Sequence, residues 1–452
     1  MTHAPFARPL LILALLAAGA AQAQSSLTLF GLTDIGLNNV TGQNAANTRL
    51  SSGIMEGSRW GMKGSEDLGG GYKAVFVLES RIELDTGANS NRAASGSQLP
   101  DRFTDPANFN FPLTLADFGL TPAQFAGLPL AQQQQIGAFI TNTPQAQAAR
   151  QGLLGQVGGQ VGAAIGVNLD NRLFDRQAFV GLVTPVGAIL MGRQYTPGYE
   201  MFYVFDSMQT ESSLSAAQIA TLPPAIDIRR DNTVAYRVQQ NGFTGTLSLS
   251  FGERSTGFED GRYLGGNFYY KGADWGAGIA YAHNTNTAGE TGLRNLVLGA
   301  YADVGPGRLS TLFASAKDDH PEAAVGLRAA LAANAAIPVP VKTVLGNGFE
   351  DALRIDANLF HIGYRIQSGP HQVTVAYNHF HDKLRQDADT QSYGAVYTYA
   401  FSKRTDVNFV LTQFRNEDRA QAAPGGNGFF GGVTAEAGRD ARNLAIALRH
   451  RF

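Results

Sequence analysis

The sequence predicts an all-β protein, a sixteen-stranded antiparallel transmembrane β-barrel. Segments of about ten residues with alternating apolar and polar side chains repeat through most of the chain. Very short turns containing Gly, Pro, Asn or Asp alternate with long polar loops. After residue 23 no run approaches the ~18 apolar residues that a membrane-spanning helix requires. These three observations favour strands as the membrane-crossing elements.

The alternation gives each predicted strand one apolar and one charged face. In the segment YKAVFVLESR, Tyr72, Phe76 and Leu78 share one face, whereas Glu79 and Arg81 share the other. Successive side chains of a strand point to opposite faces, so the sheet has one apolar and one charged surface. Such a sheet fits a secreted β-sandwich or solenoid with an apolar core. It also fits a closed barrel whose apolar face meets lipid and whose charged face encloses water.

The spacing of turns and loops favours the barrel. Short turns are predicted at residues 66–71, 184–187, 239–242, 271–274, 304–307, 367–370 and 403–406. Longer connections are predicted near residues 41–57, 86–172, 197–228, 253–262, 283–294, 317–352, 384–391 and 416–439. These seven turns and eight loops join sixteen strands, and short periplasmic turns opposite long external loops are typical of outer-membrane barrels. A lumen enclosed by sixteen strands is too wide for side chains to fill, so an aqueous channel is expected.

Residues 1–23 have the features of a secretory signal peptide. A short region containing Arg8 precedes an apolar run and the small-residue cleavage site Ala21-Gln22-Ala23. This order is typical of a cleaved leader, and the apolar run is too short to span a bilayer as a helix. We therefore expect export and a barrel domain covering residues 24–452.

Composition narrows the classes of partner and chemistry. The chain carries 35 Lys and Arg against 37 Asp and Glu, and this near balance argues against a nucleic-acid partner. The absence of Cys excludes disulfides, thiolate metal sites and Cys nucleophiles. His379 and His381 share one strand face, but the sequence offers no third ligand nearby, so a solvated pair is expected rather than a metal site. No motif links the Ser and His residues, and we expect neither a cofactor nor enzymatic activity.

Several segments resemble one known family. The Gram-negative general porins, notably those of β-proteobacteria, are similar to this chain in the first strand LTLFGLTDIGL, the hairpins SRWGMKGSEDLGGGYKAVFVLES and LFDRQAFVGLVTPVGAILMGRQYTP, and the terminal LRHRF. The resemblance implies a homotrimer in the outer membrane, in contact with lipid and lipopolysaccharide, through which small hydrophilic solutes diffuse passively. It also implies that the terminal aromatic residue, Phe452, belongs to the signal that the barrel-assembly machinery reads.

Two loops depart from the family pattern. The second external loop, about residues 86–172, is far longer than usual and contains potential helices in TPAQFAGL and TPQAQAARQGLL. The sixth loop, about residues 317–352, contains the helical pattern HPEAAVGLRAALAANAA. Capping of the pore, contact with a neighbouring subunit and mobility are all compatible with these sequences.

The resemblance also implies that the third loop, about residues 197–228, folds into the barrel and narrows it. Its acidic candidates for the lumen are Asp206 and Glu211. Inward positions on the strands supply the further candidates Arg59, Lys63, Arg81, Arg193 and Asp34. Acidic groups facing guanidinium groups would create a transverse field, which low-dielectric walls focus. Several arginines near the waist predict a weak preference for anions.

Each candidate has a simpler interpretation. Arg59 lies near the outer end of its strand and could only solvate the rim, and Arg81 could simply pair with Glu79. Arg193 could anchor the third loop, and Asp34 could merely line the lumen. The acidic residues of the third loop could face solvent as ordinary loop charges.

Other functions are compatible with a barrel of this kind. A substrate-specific outer-membrane channel would differ only in the chemistry of its loops. A surface adhesin or structural barrel would use the long second loop to bind a host or a neighbour. A membrane-bound hydrolase would need a Ser–His pair, for which the sequence contains no motif.

Overall fold

The computed structural model describes residues 26–219, 224–427 and 430–452. The predicted leader, residues 1–23, lies outside the described residues. Within the described ranges, no helix combines the length and apolar character needed to cross a membrane. Strands form the frame of the molecule, and the described helices lie in the connections between strands.

In the described part of the chain, seventeen strands form one closed antiparallel sheet. Their bounds are β1 Ser26–Thr41, β2 Thr48–Ser52, β3 Arg59–Gly69, β4 Tyr72–Arg81, β5 Gln177–Thr184, β6 Gly187–Tyr195, β7 Arg229–Gln240, β8 Phe243–Ser250, β9 Tyr263–Lys271, β10 Trp275–Thr285, β11 Thr291–Val304, β12 Gly307–Asp318, β13 Ile355–Ser368, β14 His371–Asp382, β15 Thr390–Ala400, β16 Thr405–Asn416 and β19 Ala441–Arg451. Strands β17 (Ala422–Asn427) and β18 (Phe430–Val433) pair separately as a hairpin. The sheet closes because β1 pairs with β19.

Strands β2 and β3 occupy a single position in the ring. β2 pairs with the half of β1 that runs from Ile35 to Asn39, and β3 pairs with the half from Ser26 to Leu32. Residues 53–58 leave the sheet between the two strands. The described strands therefore fill sixteen positions, and the predicted sixteen-stranded antiparallel barrel is confirmed.

The last strand illustrates the two faces of the wall. Leu444, Ile446 and Leu448 face outward with 59%, 41% and 53% of their surface exposed. The alternate residues Ala445, Ala447 and Arg449 face inward and are buried. The outward apolar series has the composition of a lipid-facing barrel surface, and the inward positions accept polar groups.

Phe452 follows the last strand at the edge of the barrel where the short turns lie. Its N–H donates to the carbonyl of Gly31, and its carbonyl accepts the N–H of Gly31, both at 3.0 Å. Its ring lies over Gly31, where an added Cβ would approach the ring to 2.3 Å. Only Gly leaves room for this packing, while the role of Phe452 in assembly stays a prediction.

The short turns lie together at one edge. Strands β7 and β8 are joined by Asn241 and Gly242, whose φ angles are 52° and 84°. Two successive positive φ angles define a type I′ turn, whose twist matches that of the flanking strands. The other short turns comprise residues 70–71, 185–186, 272–274, 305–306, 369–370 and 401–404. Each overlaps its predicted segment.

The long connections between the described strands lie at the opposite edge and are numbered loops 1 to 8 in chain order. They span residues 42–58, a range that includes the short strand β2, and residues 82–176, 196–228, 251–262, 286–290, 319–354, 383–389 and 417–440. Loop 2 contains the helices Pro122–Ala126, Leu130–Ile140 and Pro144–Ala163, and loop 6 contains the helices Glu322–Ala333 and Val339–Leu353. Loop 3 contains the helix Pro197–Phe205, called the loop 3 helix below.

Candidate pore constriction

Loop 3 turns into the barrel directly after β6. The hydroxyl of Thr196 accepts the N–H of Tyr199 at 3.2 Å and caps the loop 3 helix, with Pro197 at its first position. Phe202 and Phe205 on one face of this helix are fully buried against the inner side of β9 to β12. The helix is therefore attached to one wall of the barrel, and the remaining lumen lies on its other side.

Aromatic packing holds the loop 3 helix to this wall. The ring of Phe205 meets Tyr269 edge to face, with centroids 6.2 Å apart, and lies 5.9 Å from the ring of Tyr301. Gly299 leaves the space for this ring, since an added Cβ would approach the Phe205 side chain to 2.4 Å. The hydroxyl of Tyr269 donates to Glu200 of the loop 3 helix at 2.7 Å. Apolar burial and this hydrogen bond together set how far the loop enters the lumen.

Asp206 organises loop 3, and the residue is 1% exposed. Its carboxylate accepts the N–H groups of Met208 at 2.9 Å and Thr210 at 3.3 Å. The hydroxyl of Ser215 donates to the same carboxylate at 2.7 Å. This corrects the predicted lumen position of Asp206, because an Asp directly after a helix readily binds the backbone N–H two residues ahead.

A buried polar pair on the wall holds the returning part of loop 3. The N–H of Ser207 donates to Nε2 of His361 at 2.9 Å, so the proton of this imidazole lies on Nδ1. Nδ1 lies 2.6 Å from Oδ1 of Asn378, to which it donates. The amide of Asn378 in turn donates to the carbonyl of Leu214 at 2.9 Å. Strands β13 and β14 thereby fix two separate points of loop 3.

Between loop 3 and the wall formed by β1 and β3 to β8 lies a cavity of about 820 Å³. Its charged lining residues are Arg59, Arg81, Arg176, Arg229, Arg237, Arg451, Glu56, Glu79, Glu200 and Glu211. Among the described lining residues, six guanidinium groups thus face four carboxylates. The structure brings the predicted Arg59, Arg81 and Glu211 together in this lining. The excess of positive charge would favour anions in the gap.

Three arginines form the centre of the charged wall. Glu79 holds two of them, with its Oε1 atom 3.1 Å from Nε of Arg59 and 2.9 Å from Nε of Arg176. The hydroxyl of Tyr195 accepts from Arg176 at 2.9 Å and from Arg229 at 3.0 Å. Arg229 also stacks over the Tyr195 ring, 4.5 Å from its centroid. These contacts orient the guanidinium groups before a solute arrives.

Arg81 lies at the end of this wall where loop 2 begins. Its residue surface is 5% exposed, and Nη1 lies 3.0 Å from Oε1 of Glu83. Nε lies 3.4 Å from Oδ2 of Asp175, whose other oxygen accepts the Arg81 N–H at 2.9 Å. Two carboxylates offset its charge, so we expect Arg81 to contribute less to the field than Arg229.

Glu211 of loop 3 forms ion pairs with arginines of the last strand. Nη1 of Arg449 lies 2.9 Å from Glu211 and 3.1 Å from Glu56 of loop 1. Glu56 also lies 3.1 Å from Arg451 and 2.9 Å from Arg59. Burial alone would raise the pKa of Glu56, but the neighbouring arginines, Arg59 foremost, outweigh it and lower the pKa to about 2. For Glu211, burial dominates over Arg449 and raises the pKa.

Asp34 faces inward but acts on the backbone of loop 1. Its carboxylate is fully buried and accepts the N–H groups of Ile54 at 3.1 Å and of Met55 and Glu56 at 2.9 Å. The hydroxyl of Ser58 donates to the Asp34 carbonyl at 3.0 Å. These bonds shape the interruption between β2 and β3, which turns Glu56 into the lumen.

Lys63 and Arg193 lie apart from this cluster. Lys63 faces inward, opposite Thr28 in the register, with Nζ 5.4 Å from the Phe30 ring and nearer the turn edge than Arg59. Arg193 shares the outward parity of Met191, and Nε donates to the carbonyl of Asp175 at 2.6 Å. The predicted inward position of Arg193 is thereby corrected, because the described lining of the cavity takes Leu190, Gln194 and Tyr195 from β6 and does not include Arg193.

Comparison with known proteins decides the family. The profile of the Gram-negative porin family matches residues 10–419, which is most of the chain. The chain belongs to the Gram-negative porin family. This match confirms the family predicted from the sequence, so the inward-folded loop and the charged lumen belong to a porin.

Individual relatives agree with this family. An outer membrane porin protein of Bordetella pertussis is 42% identical over 106 residues, which is 20% of this chain and 27% of that protein. Outer membrane porin protein 32 of Delftia acidovorans is 30% identical over 246 residues, which is 50% of this chain and 63% of that protein. The matches thus span less than two thirds of either relative. The anion-selective porin from Comamonas acidovorans shares the fold, with a TM-score of 0.62, 21% identity, and coverage of 95% of this chain and 100% of that one.

The long loop 2 crosses the external mouth of this porin. An antiparallel bridge joins the backbones of Asn91 and Val167, at 3.0 and 2.8 Å, and residues 92–166 beyond it are called the strap below. The strap leaves the ring between the third and fourth strand positions, and loop 6 leaves it between the eleventh and twelfth. Eight positions are half of this ring, so contact between the strap and loop 6 requires the strap to span the mouth.

A separate apolar core joins the strap to loop 6. The strap contributes Phe103, Phe109, Leu154 and Val157, and loop 6 contributes Ala324, Leu327, Leu331, Val341, Leu345, Phe349, Ala352 and Leu353. The rings of Phe109 and Phe349 meet edge to face with centroids 5.3 Å apart. Of the roles that the sequence leaves open for loop 2, the structure shows a cap over its own barrel.

Several lumen residues of the porin escape sequence reasoning. Arg449 and Arg451 share the inward parity of β19, and Arg237 shares that of the buried positions of β7, so alternation could identify these three. Arg176 precedes β5, and Arg229 begins β7 beside an irregular stretch of pairing with β6. The alternation of apolar and polar residues does not predict which way Arg176 and Arg229 face, because regular strand pairing ends where these residues lie.

Proposed function

We propose that this porin forms a water-filled channel through the Gram-negative outer membrane, through which small hydrophilic solutes and ions diffuse passively. The observation that carries the proposal is the cavity of about 820 Å³ between loop 3 and the arginine-bearing wall. The outer face of the barrel is apolar, while the inner face carries charged side chains. A pore of this kind selects by the size of its constriction and by the field across it, without covalent chemistry.

We further propose a weak preference for anions. Six arginines and four glutamates line the described cavity, which leaves an excess of positive charge. Glu79 and Tyr195 hold the central guanidinium groups in place. Arg229 donates to a neutral hydroxyl rather than to a carboxylate. An anion entering the gap can therefore replace part of its hydration shell with fixed N–H donors.

The proposal includes the assembly of the protein. We expect a homotrimer in contact with outer-membrane lipid and lipopolysaccharide, and we propose Phe452 as the residue that the barrel-assembly machinery reads. Its position at the turn edge, with 44% of its surface exposed, supports this role. Phe452→Ala should lower the amount of folded barrel in the outer membrane, and unchanged amounts would contradict the role.

Reconstitution into a planar bilayer tests the channel and its selectivity together. We expect stepwise conductance, grouped in threes for a trimer, and a reversal potential in a KCl gradient with the sign of chloride preference. A potassium preference would overturn the anion proposal, and absent conductance would favour an adhesin or structural barrel. Liposome swelling with sugars of graded size separates the alternatives further, because one preferred solute would indicate a substrate-specific channel.

A further inference from the structure

A small cavity lies where the strap meets the far wall of the barrel, separate from the lumen. Its volume is about 40 Å³. Three arginines contribute to its lining: Arg102 of the strap, Arg354 of loop 6 and Arg419 of loop 8. The carboxylate among the described lining residues is that of Asp382, at the end of β14. The charged residues of the lining thus come from the strap, from β14 and from loops 6 and 8, and arginines predominate among them.

Arg102 belongs to the lining of this cavity and has donors without a partner. The residue is 6% exposed, and Nη1 makes an ion pair of 3.3 Å with Oδ2 of Asp382. Nε and Nη2 have no hydrogen-bond partner within the described ranges of the chain. Buried polar groups, and charged ones above all, normally have partners, because an unpaired donor loses its hydration without compensation. These two N–H donors therefore indicate a ligand that accepts hydrogen bonds.

Asp382 compensates the charge of Arg102 only in part. Its carboxylate also accepts the N–H groups of Leu384 at 3.0 Å and Ala388 at 3.3 Å. Burial lowers the pKa of Arg102, and Asp382 opposes this shift incompletely. The charge of Arg102 is thus under-compensated at this junction.

The other two arginines have their own partners. Nη1 of Arg354 lies 2.9 Å from Asp351, and Arg419 forms an ion pair with Asp105. Both acidic residues stand outside the described lining of the cavity. Among the described lining residues, three guanidinium groups thus stand against one carboxylate, that of Asp382.

We propose that this cavity binds a halide ion, chloride under ordinary conditions, which accepts the Nε and Nη2 donors of Arg102 and locks the strap across the mouth. A volume of about 40 Å³ holds one halide or a few water molecules, whereas a tetrahedral oxyanion needs more space. A water molecule must also donate its own protons. The carboxylate in the lining already accepts three N–H donors, so an anion matches the site better than water.

Bound halide would stabilise the closed position of the strap. Arg102 belongs to the strap and Asp382 to the wall, so neutralising the guanidinium lowers the cost of burying it at the contact between them. The site lies apart from the lumen arginines. Its occupancy would therefore depend on halide concentration without depending on the ion selectivity of the pore.

Anomalous diffraction from crystals soaked in bromide tests the site directly. We expect a bromide peak within hydrogen-bond distance of both Nε and Nη2 of Arg102. Ordered water without anomalous signal at that position would overturn the proposal.

Limited proteolysis tests whether the ion acts in solution. The intact porin in detergent is digested with a protease of broad specificity, in chloride or in gluconate at equal ionic strength. With chloride at ten times its dissociation constant, cleavage in the strap should be about tenfold slower than in gluconate, because a ligand of the closed state shifts its population by that factor.

Two variants separate the site from general effects of charge. Arg102→Met should remove the protection by chloride, whereas Arg172→Met, which changes an exposed arginine at the base of loop 2, should keep it. Equal protection of Arg102→Met would overturn the proposal. Bromide density without protection of the wild-type strap would indicate binding at crystal concentration only and would overturn the locking role.

Discussion

Replacing Arg229 with Gln removes one positive charge from the lumen without leaving a carboxylate unpaired. Its guanidinium donates to the Tyr195 hydroxyl at 3.0 Å and stacks over that ring at 4.5 Å. Arg176 keeps its own bond to the same hydroxyl at 2.9 Å. The pair of Glu79 with Arg59 and Arg176 is untouched. We therefore expect Arg229→Gln to fold and conduct normally.

The size of the effect follows from the charges of the lining. Six arginines and four glutamates leave an excess of two positive charges in the described lining, and the substitution halves this excess. In water, two unit charges about 5 Å apart interact by about 0.8 kcal/mol, which changes ion occupancy about fourfold. The substitution loses both attraction for chloride and repulsion of potassium, so the chloride-to-potassium permeability ratio should fall by roughly four- to sixteenfold at low salt.

Reversal potentials in planar bilayers measure this ratio. The difference between wild type and Arg229→Gln should shrink in concentrated salt, since counterions screen the lumen charges. Arg254→Gln is the matched control, because it makes the same change of net charge on an exposed residue of loop 4. An unchanged ratio in Arg229→Gln at normal conductance would refute the electrostatic reasoning, and so would an equal shift in Arg254→Gln.

Four further predictions concern the elements around the constriction. Asp34→Ala leaves three backbone N–H groups without the carboxylate that accepts them, and each buried donor without an acceptor costs roughly 1–3 kcal/mol of folding stability. The barrel should therefore unfold at a lower temperature on SDS gels. An unchanged transition temperature would contradict the structural role of Asp34. Burial raises the pKa of Glu211 above its ordinary 4.5, so acidification through the range above 4.5 should remove its negative charge and strengthen anion preference. The same pH dependence in Glu211→Gln would contradict this assignment. Phe205→Ala removes a buried ring of loop 3, which should cost about 3–5 kcal/mol of packing energy. The loop should then move more, so open-channel current noise should rise. An unchanged noise level would show that other contacts hold the loop. Deleting the strap and closing its base with a short Gly-rich turn should raise the unitary conductance and leave the reversal potential unchanged. If the reversal potential shifts as much as in Arg229→Gln, the strap contributes to ion selectivity.

Local chemistry explains what could be predicted of the fold. Alternation with period two assigns the faces of a strand without knowledge of its neighbours, and Asn241–Gly242 specifies a tight hairpin through the conformation of two residues. The number of strands, the edge that carries the turns and the family follow from such local features. The path of the strap cannot be predicted from local features, because it depends on an apolar core that the strap shares with loop 6 on the opposite side of the ring.

The residues of the candidate site also include some that the sequence identifies and some that only the structure places. The sequence by itself determined that Arg59, Arg81 and Glu211 belong near the lumen, because strand parity and the third loop mark them. Only the tertiary structure decided that Asp206 turns back into its own loop, and that Tyr195 rather than Arg193 lines the cavity at the end of β6. The charges that meet in the lumen come from strands and loops far apart in the chain. Their pairing depends on strand register, on local irregularities and on how deeply loop 3 packs, and these long-range properties are settled only when the barrel closes.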